Sequence, residues 1–142
     1  MATTALQSER IDEQAIAALV NRATCGAVCT FSGTVRNHSR GMRVLALEYT
    51  AHDELARREL QRIADAAEER WGAVCAVVHR IGPVPIGEST IYIAVATPHR
   101  PAAFEACRWI IDTVKETVPI WKRETTEDGE VWIEGDAAIP AL

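Results

Sequence analysis

AVCAVVHRI (Ala73–Ile81) and STIYIAVA (Ser89–Ala96) are two short apolar runs held apart by GPVPIG (Gly82–Gly87). Both are rich in β-branched residues, and the prolines and glycines between them punctuate a turn-rich connection, so the stretch predicts two strands. On the C-terminal side, Pro101 to about Val118 places Phe104, Cys107, Ile111 and Val114 at helical spacing as a core face. Pro119 removes a backbone donor and disfavours helix in the residue before it, so this helix is expected to stop near Val118 and the chain to turn sharply. Beyond it, Ile120–Thr126 and Glu130–Glu134 flank Asp128-Gly129, a hairpin signal. On the N-terminal side, Asp53–Arg70 carries Ala56, Leu60, Ile63, Ala64 and Ala67 on one helical face and Arg58, Glu59, Gln61 and Glu68 on the other. Further back, Val44–Thr50 reads as a strand with Leu45, Leu47 and Tyr49 on one face, and Gly26–Val35 as another. The polar loop Arg36–Gly41 joins them. Ile11–Val20 reads as a short amphipathic helix with Ile16, Leu19 and Val20 at its spacing. There is no repeat, low-complexity tract or linker, and residues 1–142 are expected to form one α+β domain with a mostly antiparallel sheet.

Composition narrows the function. A chain of 142 residues can bury a core without a metal or disulfide. Fifteen Lys+Arg against twenty Asp+Glu leave a formal charge of -5, which argues against a general nucleic-acid or anionic-membrane binder, so any anion site must be local. Cys25, Cys29, Cys75 and Cys107 lie in apolar runs without CxxC or His/Cys metal spacing, and are expected to be buried thiols of a reducing cytoplasm. Met1–Arg10 lacks a signal-peptide core and no apolar run is long enough to span a membrane. Neither a metal nor a cofactor is called for.

Three local features can carry chemistry. Lys115 and Lys122 stand on either side of Pro119; if the turn folds back, two ammonium groups face one site, where repulsion and desolvation favour loss of a proton from one of them. Lysines are more often simply solvated. Arg108, two helical turns before Lys115, would add to the local positive potential. Thr97-Pro98-His99-Arg100-Pro101 lies where a strand ends and a helix begins, so His99 and Arg100 would add charge to unpaired backbone N–H groups, a natural phosphate site. The alternative is that Arg100 caps surface structure and His99 packs. Arg36, His38 and Arg40 cluster in the loop after the Gly26–Val35 strand, where a guanidinium fork could complete an anion pocket, although such loops are commonly only solvated turns. A GxSxG elbow, a Walker loop, GxGxxG and HExxH are absent, and Ser32 and Cys29 have no evident base. An enzyme with these residues works by positioning and electrostatics.

FSGTVRNH (Phe31–His38), Leu47-Glu48-Tyr49, His79-Arg80-Ile81-Gly82, HRPAAF (His99–Phe104) and PIWKRE (Pro119–Glu124), in that order over about residues 26–134, resemble the MoaE family, the large catalytic subunits of molybdopterin synthase. The resemblance implies an α/β hammerhead fold, a cytoplasmic sulfurtransferase of molybdenum cofactor biosynthesis, and a homodimer within a heterotetramer. It implies a MoaD-like ubiquitin-fold partner carrying sulfur as a thiocarboxylate on its C-terminal Gly-Gly, and cyclic pyranopterin monophosphate as substrate. The product is the dithiolene of molybdopterin. The family's active-site lysines fall on Lys115 and Lys122, its pocket arginine on Arg36, and its His-Arg anion pair on His99 and Arg100. On that basis Arg36, His99 and Arg100 hold the phosphate, from one chain or across a dimer. Lys115 stabilises the oxyanion at the incoming tail, and Lys122 orients the pterin and serves as acid or base.

One departure stands out. Many relatives carry a basic residue shortly after the Trp-Val-Glu-like segment, whereas Trp132-Ile133-Glu134 here leads to Gly135-Asp136 and a short apolar tail, Ala137–Leu142, without Lys or Arg. The alternatives to the enzyme are a non-catalytic carrier of a phosphorylated metabolite and a scaffold for a ubiquitin-like partner.

Overall fold

The computed structural model describes residues 1–134 and 137–138. The strands are β1 (Thr3–Gln7), β2 (Ala27–Thr34), β3 (His38–Ser39), β4 (Met42–Ala51), β5 (Val74–Arg80), β6 (Gly82–Pro83), β7 (Ser89–Thr97), β8 (Ile120–Thr126), β9 (Gly129–Glu134) and β10 (Ala137–Ala138). The helices are α1 (Glu13–Ala18), α2 (Asp53–Trp71) and α3 (Arg100–Thr117).

The two apolar runs are β5 and β7, paired antiparallel from Val74↔Ala96 to His79↔Ile91. They form the centre of a four-stranded sheet ordered β1-β5-β7-β2. Every residue of β7 is buried, because both of its faces are covered. Ile91, Ile93 and Val95 face α2 and α3, joining Leu60, Ile63, Ile110 and Val114 in the main core. Tyr92, Ala94 and Ala96 face the other way and pack with Ile11, Ile16 and Val20 around α1. Strand β1 was not expected from the sequence; it pairs parallel to β5, the exception in an otherwise antiparallel sheet.

Helix α2 buries the five residues its periodicity picked out, and ends at Gly72 in a left-handed conformation (φ 60°). In α3 the expected face is displaced by one position. Ala103, Ala106, Cys107, Ile110 and Val114 are buried, Ile111 is half-buried, and Phe104 is 64% exposed. The small alanines let the helix lie close to the sheet, and close approach turns Phe104 outward. Helix α1 is shorter than expected, starting after Asp12, whose carboxylate accepts the Ala15 N–H. Cys75 and Cys107 are buried, and burial pushes both thiols up to about 12. Cys25 and Cys29 are only half-buried, contrary to expectation.

The second sheet runs β10-β9-β8-β4-β3, with β6 added to β4. The β8–β9 hairpin turns at Asp128-Gly129 as expected, with Thr126 Oγ1 accepting the Asp128 N–H and donating to the Gly129 carbonyl. In β4 the register with β8 shifts between Val44 and Ala46, so Leu45 is 50% exposed and does not share the inward face of Leu47. The expected polar loop 36–41 contains β3, which closes on β4 through Arg40 and Gly41, both at positive φ (52° and 77°), the geometry of a tight two-residue hairpin turn. Among the described residues no helix is long and apolar enough to cross a membrane. The sequence features of Gly135-Asp136 and of the tail after Ala138 lie outside the described residues.

Candidate active site

Helix α3 stops where Pro119 requires. Val118 has left helical geometry (φ -79°, ψ 126°), its N–H still bonded to the Val114 carbonyl, and β8 starts at Ile120. Lys115 therefore occupies the last helical turn, where a cation is favoured by the helix dipole. In β8 the inward face is every second residue: Ile120, Lys122, Glu124 and Thr126, opposite Ala51, Tyr49 and Leu47 of β4 at its first three positions. The turn does fold back. Lys115 and Lys122 line one cavity together with Tyr49, His79, Thr90, Ile91, Val114, Val118 and Ile120.

A second cavity adjoins the first through Tyr49, Thr90 and Lys122, which line both. Arg36 and His38 border it, with Glu124 in its wall. Glu124 is 3% exposed, and its carboxylate lies 3.4 Å from Lys122 Nζ and 3.9 Å from an Arg40 guanidinium nitrogen. The turn at Arg40-Gly41 thus brings that arginine back over β8, while Arg36 and His38 reach the cavity rim. Thr90 is held by its Oγ1–H donating to the Gly33 carbonyl at 3.0 Å. A Cβ on Gly33 would come within 2.9 Å of Ile91 Cγ2, so this part of FSGTVRNH needs glycine for close approach.

Not every expected residue joins this site within one chain. His99 and Arg100 are exposed at the opposite end of α3; Lys115 lies fifteen residue steps beyond Arg100, so the separation along the axis is about 22 Å at 1.5 Å per residue. His99 is the N-cap but makes no side-chain cap bond, and Pro101 follows as the second helical residue. Arg108 is exposed and pairs with Asp112 at 3.5 Å, and is not in the wall of either cavity.

Two residues escaped sequence reasoning. Glu124 was visible only as part of a charged segment, yet its i+2 spacing from Lys122 on a strand was a usable signal. Removing its charge in Glu124→Gln is expected to reduce turnover about tenfold through misplacement of Lys122, with the circular dichroism spectrum unchanged. His79 was visible as an interruption of an apolar run. It is buried, its ring meets Tyr49 edge-on at 5.0 Å between centroids, and Nδ1 lies 2.7 Å from the Arg80 carbonyl. Burial pushes its pKa down to about 4, the positive charge of Lys115 acting in the same direction and the backbone hydrogen bond opposing.

That shift has a sign. From about 6.5 down to about 4 the unfolded imidazole binds a proton that the folded one refuses, so stability is lost as pH falls through this window, by on the order of 3 kcal/mol in total. Urea unfolding between pH 7 and pH 4 is expected to show that loss, and His79→Gln to show a flatter dependence.

The family model for the MoaE protein matches residues 6–117. This chain belongs to the MoaE family. A molybdopterin synthase catalytic subunit from Pyrococcus abyssi is 48% identical over 129 residues, covering 90% of this chain and 86% of the relative. A crystal structure of molybdopterin synthase from Staphylococcus aureus superposes with TM-score 0.86 at 38% identity, covering 90% of this chain and 94% of the other. The complex of subunits 1 and 2 of molybdopterin-converting factor from Helicobacter pylori shares the fold, with TM-score 0.72 at 23% identity, over 91% and 88% of the two chains. The MoaE match, which ends at Thr117, includes Lys115 but stops short of Lys122, whereas the Pyrococcus alignment covers most of the chain.

Proposed function

We propose that this chain is the catalytic subunit of a molybdopterin synthase, which takes sulfur from the thiocarboxylated Gly-Gly terminus of a ubiquitin-fold small subunit and places it on cyclic pyranopterin monophosphate. The observation that carries the proposal is the convergence of Lys115 and Lys122 on one cavity across the Pro119 turn. The names of the relatives support the same reaction, and the Helicobacter complex supports a two-subunit assembly. The nucleophilic sulfur arrives on the partner, which accounts for a site built from cations and no nucleophile of its own.

In this account Lys115, at the more open side, stabilises the oxyanion formed at the partner's terminal carbonyl, and Lys122, seated deeper against Glu124, orients the pterin and exchanges a proton with its leaving oxygen. Arg36 at the adjoining cavity binds the substrate phosphate. His99 and Arg100 lie too far away to act on the same phosphate within one chain. They serve the site of a second copy, in a homodimer flanked by two small subunits in the cytoplasm. The test is reconstitution: protein, thiocarboxylated small subunit and cyclic pyranopterin monophosphate are expected to yield molybdopterin, read as its fluorescent oxidised derivative. Tight binding of both components without product would leave a carrier or scaffold instead.

A further inference from the structure

The GPVPIG connection (Gly82–Gly87) does more than turn the chain between β5 and β7. Strand β2 ends at Thr34, where its register with β7 shifts, and the next residue is held from both sides by residues 87 and 88. The Val35 N–H donates to the Glu88 carbonyl at 3.0 Å, and the Val35 carbonyl accepts the Gly87 N–H at 2.7 Å. The same connection reaches β4, where the Val84 N–H donates to the Leu47 carbonyl at 3.0 Å, and Val35, Leu47 and Val84 pack into a small apolar cluster. Two residues beyond Val35, the Asn37 carbonyl accepts the Val44 N–H at 2.8 Å. Arg36 is thus an exposed side chain on backbone pinned before and after it, at the cavity it shares with Lys122. The base of the connection is itself tied by a side-chain pair. Arg80 Nη1–H donates to Glu88 Oε1 at 2.8 Å, and Arg80 Nε–H donates to the Ser8 carbonyl at 3.3 Å. The Arg80 side chain is 11% exposed, so solvent screens this pair little, whereas Arg10, 3.8 Å from the same carboxylate, is 78% exposed and adds little.

We propose that Arg80 and Glu88 are positioning residues for Arg36: their ion pair fixes the backbone at residues 87 and 88, which fixes Val35, and so sets where the Arg36 guanidinium meets the substrate phosphate. This rests on the assignment of Arg36 to that phosphate. Neither Arg80 nor Glu88 lines the cavity of the two lysines or the cavity of Arg36, so the pair acts through the backbone and not by contact with substrate. A guanidinium fork that must meet a phosphate with two parallel bonds loses much of its hold when its point of attachment moves by about 1 Å. The consequence falls on substrate affinity and not on the chemistry at the lysines.

A double-mutant cycle separates positioning from general support of the fold. The experiment measures kcat and KM for cyclic pyranopterin monophosphate in the reconstituted two-subunit reaction, with wild type, Glu88→Ala, Glu88→Gln, Arg36→Ala and the Arg36→Ala, Glu88→Ala double variant, each checked for a cooperative thermal transition. Arg80→Met cuts the same bond from the other side while keeping the apolar stem, and takes the place of Glu88→Ala, alone and combined with Arg36→Ala, should Glu88→Ala not fold. The expected result is a rise in KM of about tenfold in Glu88→Ala with kcat within about threefold of wild type. Glu88→Gln keeps an acceptor for the Arg80 N–H and is expected to return KM to within about threefold of wild type. In the Arg36→Ala background the loss of Glu88 is expected to change KM by less than about twofold, because the residue it serves is already gone. The same tenfold rise in both backgrounds would overturn the proposal in favour of a structural role independent of Arg36. So would a wild-type KM in the folded variant that lacks the pair, or a fall in kcat with KM held. A wild-type KM in Arg36→Ala would instead refute the phosphate assignment on which the proposal stands, and so distinguishes the two failures.

Discussion

Lys115→Ala is expected to lower molybdopterin formation by about a hundredfold or more while leaving the fold intact, because on the proposed assignment it removes a preorganised charge from the place where the oxyanion develops. Two features make the expectation asymmetric. Lys115 is exposed on the last turn of α3, so its truncation opens no hole in the core. The cavity wall around it, from Val114, Val118, Ile120 and Ile91, belongs to the main core. The melting temperature of the variant is therefore expected to stay close to that of the wild type. Lys115→Arg keeps the charge but changes its shape and its capacity to exchange a proton. A carrier would keep its affinity, whereas the enzyme is expected to lose turnover.

A mixture of Arg100→Ala and Lys115→Ala chains is expected to regain activity that neither has alone. The argument is geometric: α3 is 18 residues long, with the two side chains near opposite ends, so they meet at one phosphate only if they come from different chains. If the chains exchange freely at equal concentration, about half of the dimers are mixed and each holds one intact site, so the pool is expected to reach about a quarter of wild-type activity. Activity that stays at the level of the separate variants would place Arg100 outside the site served by Lys115.

Much of this was legible because it follows from local rules. The Pro119 stop, the two-residue period of β8 and the 3.6 period of α2 are properties of a few neighbouring residues, and the lysine pair followed from the first of them. What escaped depends on partners distant in sequence. Strand β1 exists because β5 offers it an edge, and the polar Thr3 and Thr4 give no apolar signal. The rotation of α3 that exposes Phe104 is set by how closely Ala103 and Ala106 approach the sheet, and a scale that ranks Phe above Ala points the wrong way. Glu124 acquires its second cation only when the Arg40 turn folds over β8, and the depth of His79 is set only when Tyr49 is placed against it. The grouping of the candidate anion-binding residues was not legible in the sequence. The connection from β2 to β3 brings Arg36 to a cavity that Lys122 of β8 also lines, while His99 and Arg100 stay at the far end of α3.

The most direct test of sulfur transfer follows the donor. Intact-mass analysis of the thiocarboxylated small subunit, incubated with this protein and cyclic pyranopterin monophosphate, reads the exchange of its terminal sulfur for oxygen. The account predicts that two small-subunit thiocarboxylates become carboxylates for each molybdopterin formed, and that the conversion requires the protein, the substrate and Lys115 together. Thiocarboxylate that persists while protein and substrate are both bound, or that is lost equally without substrate, would contradict it.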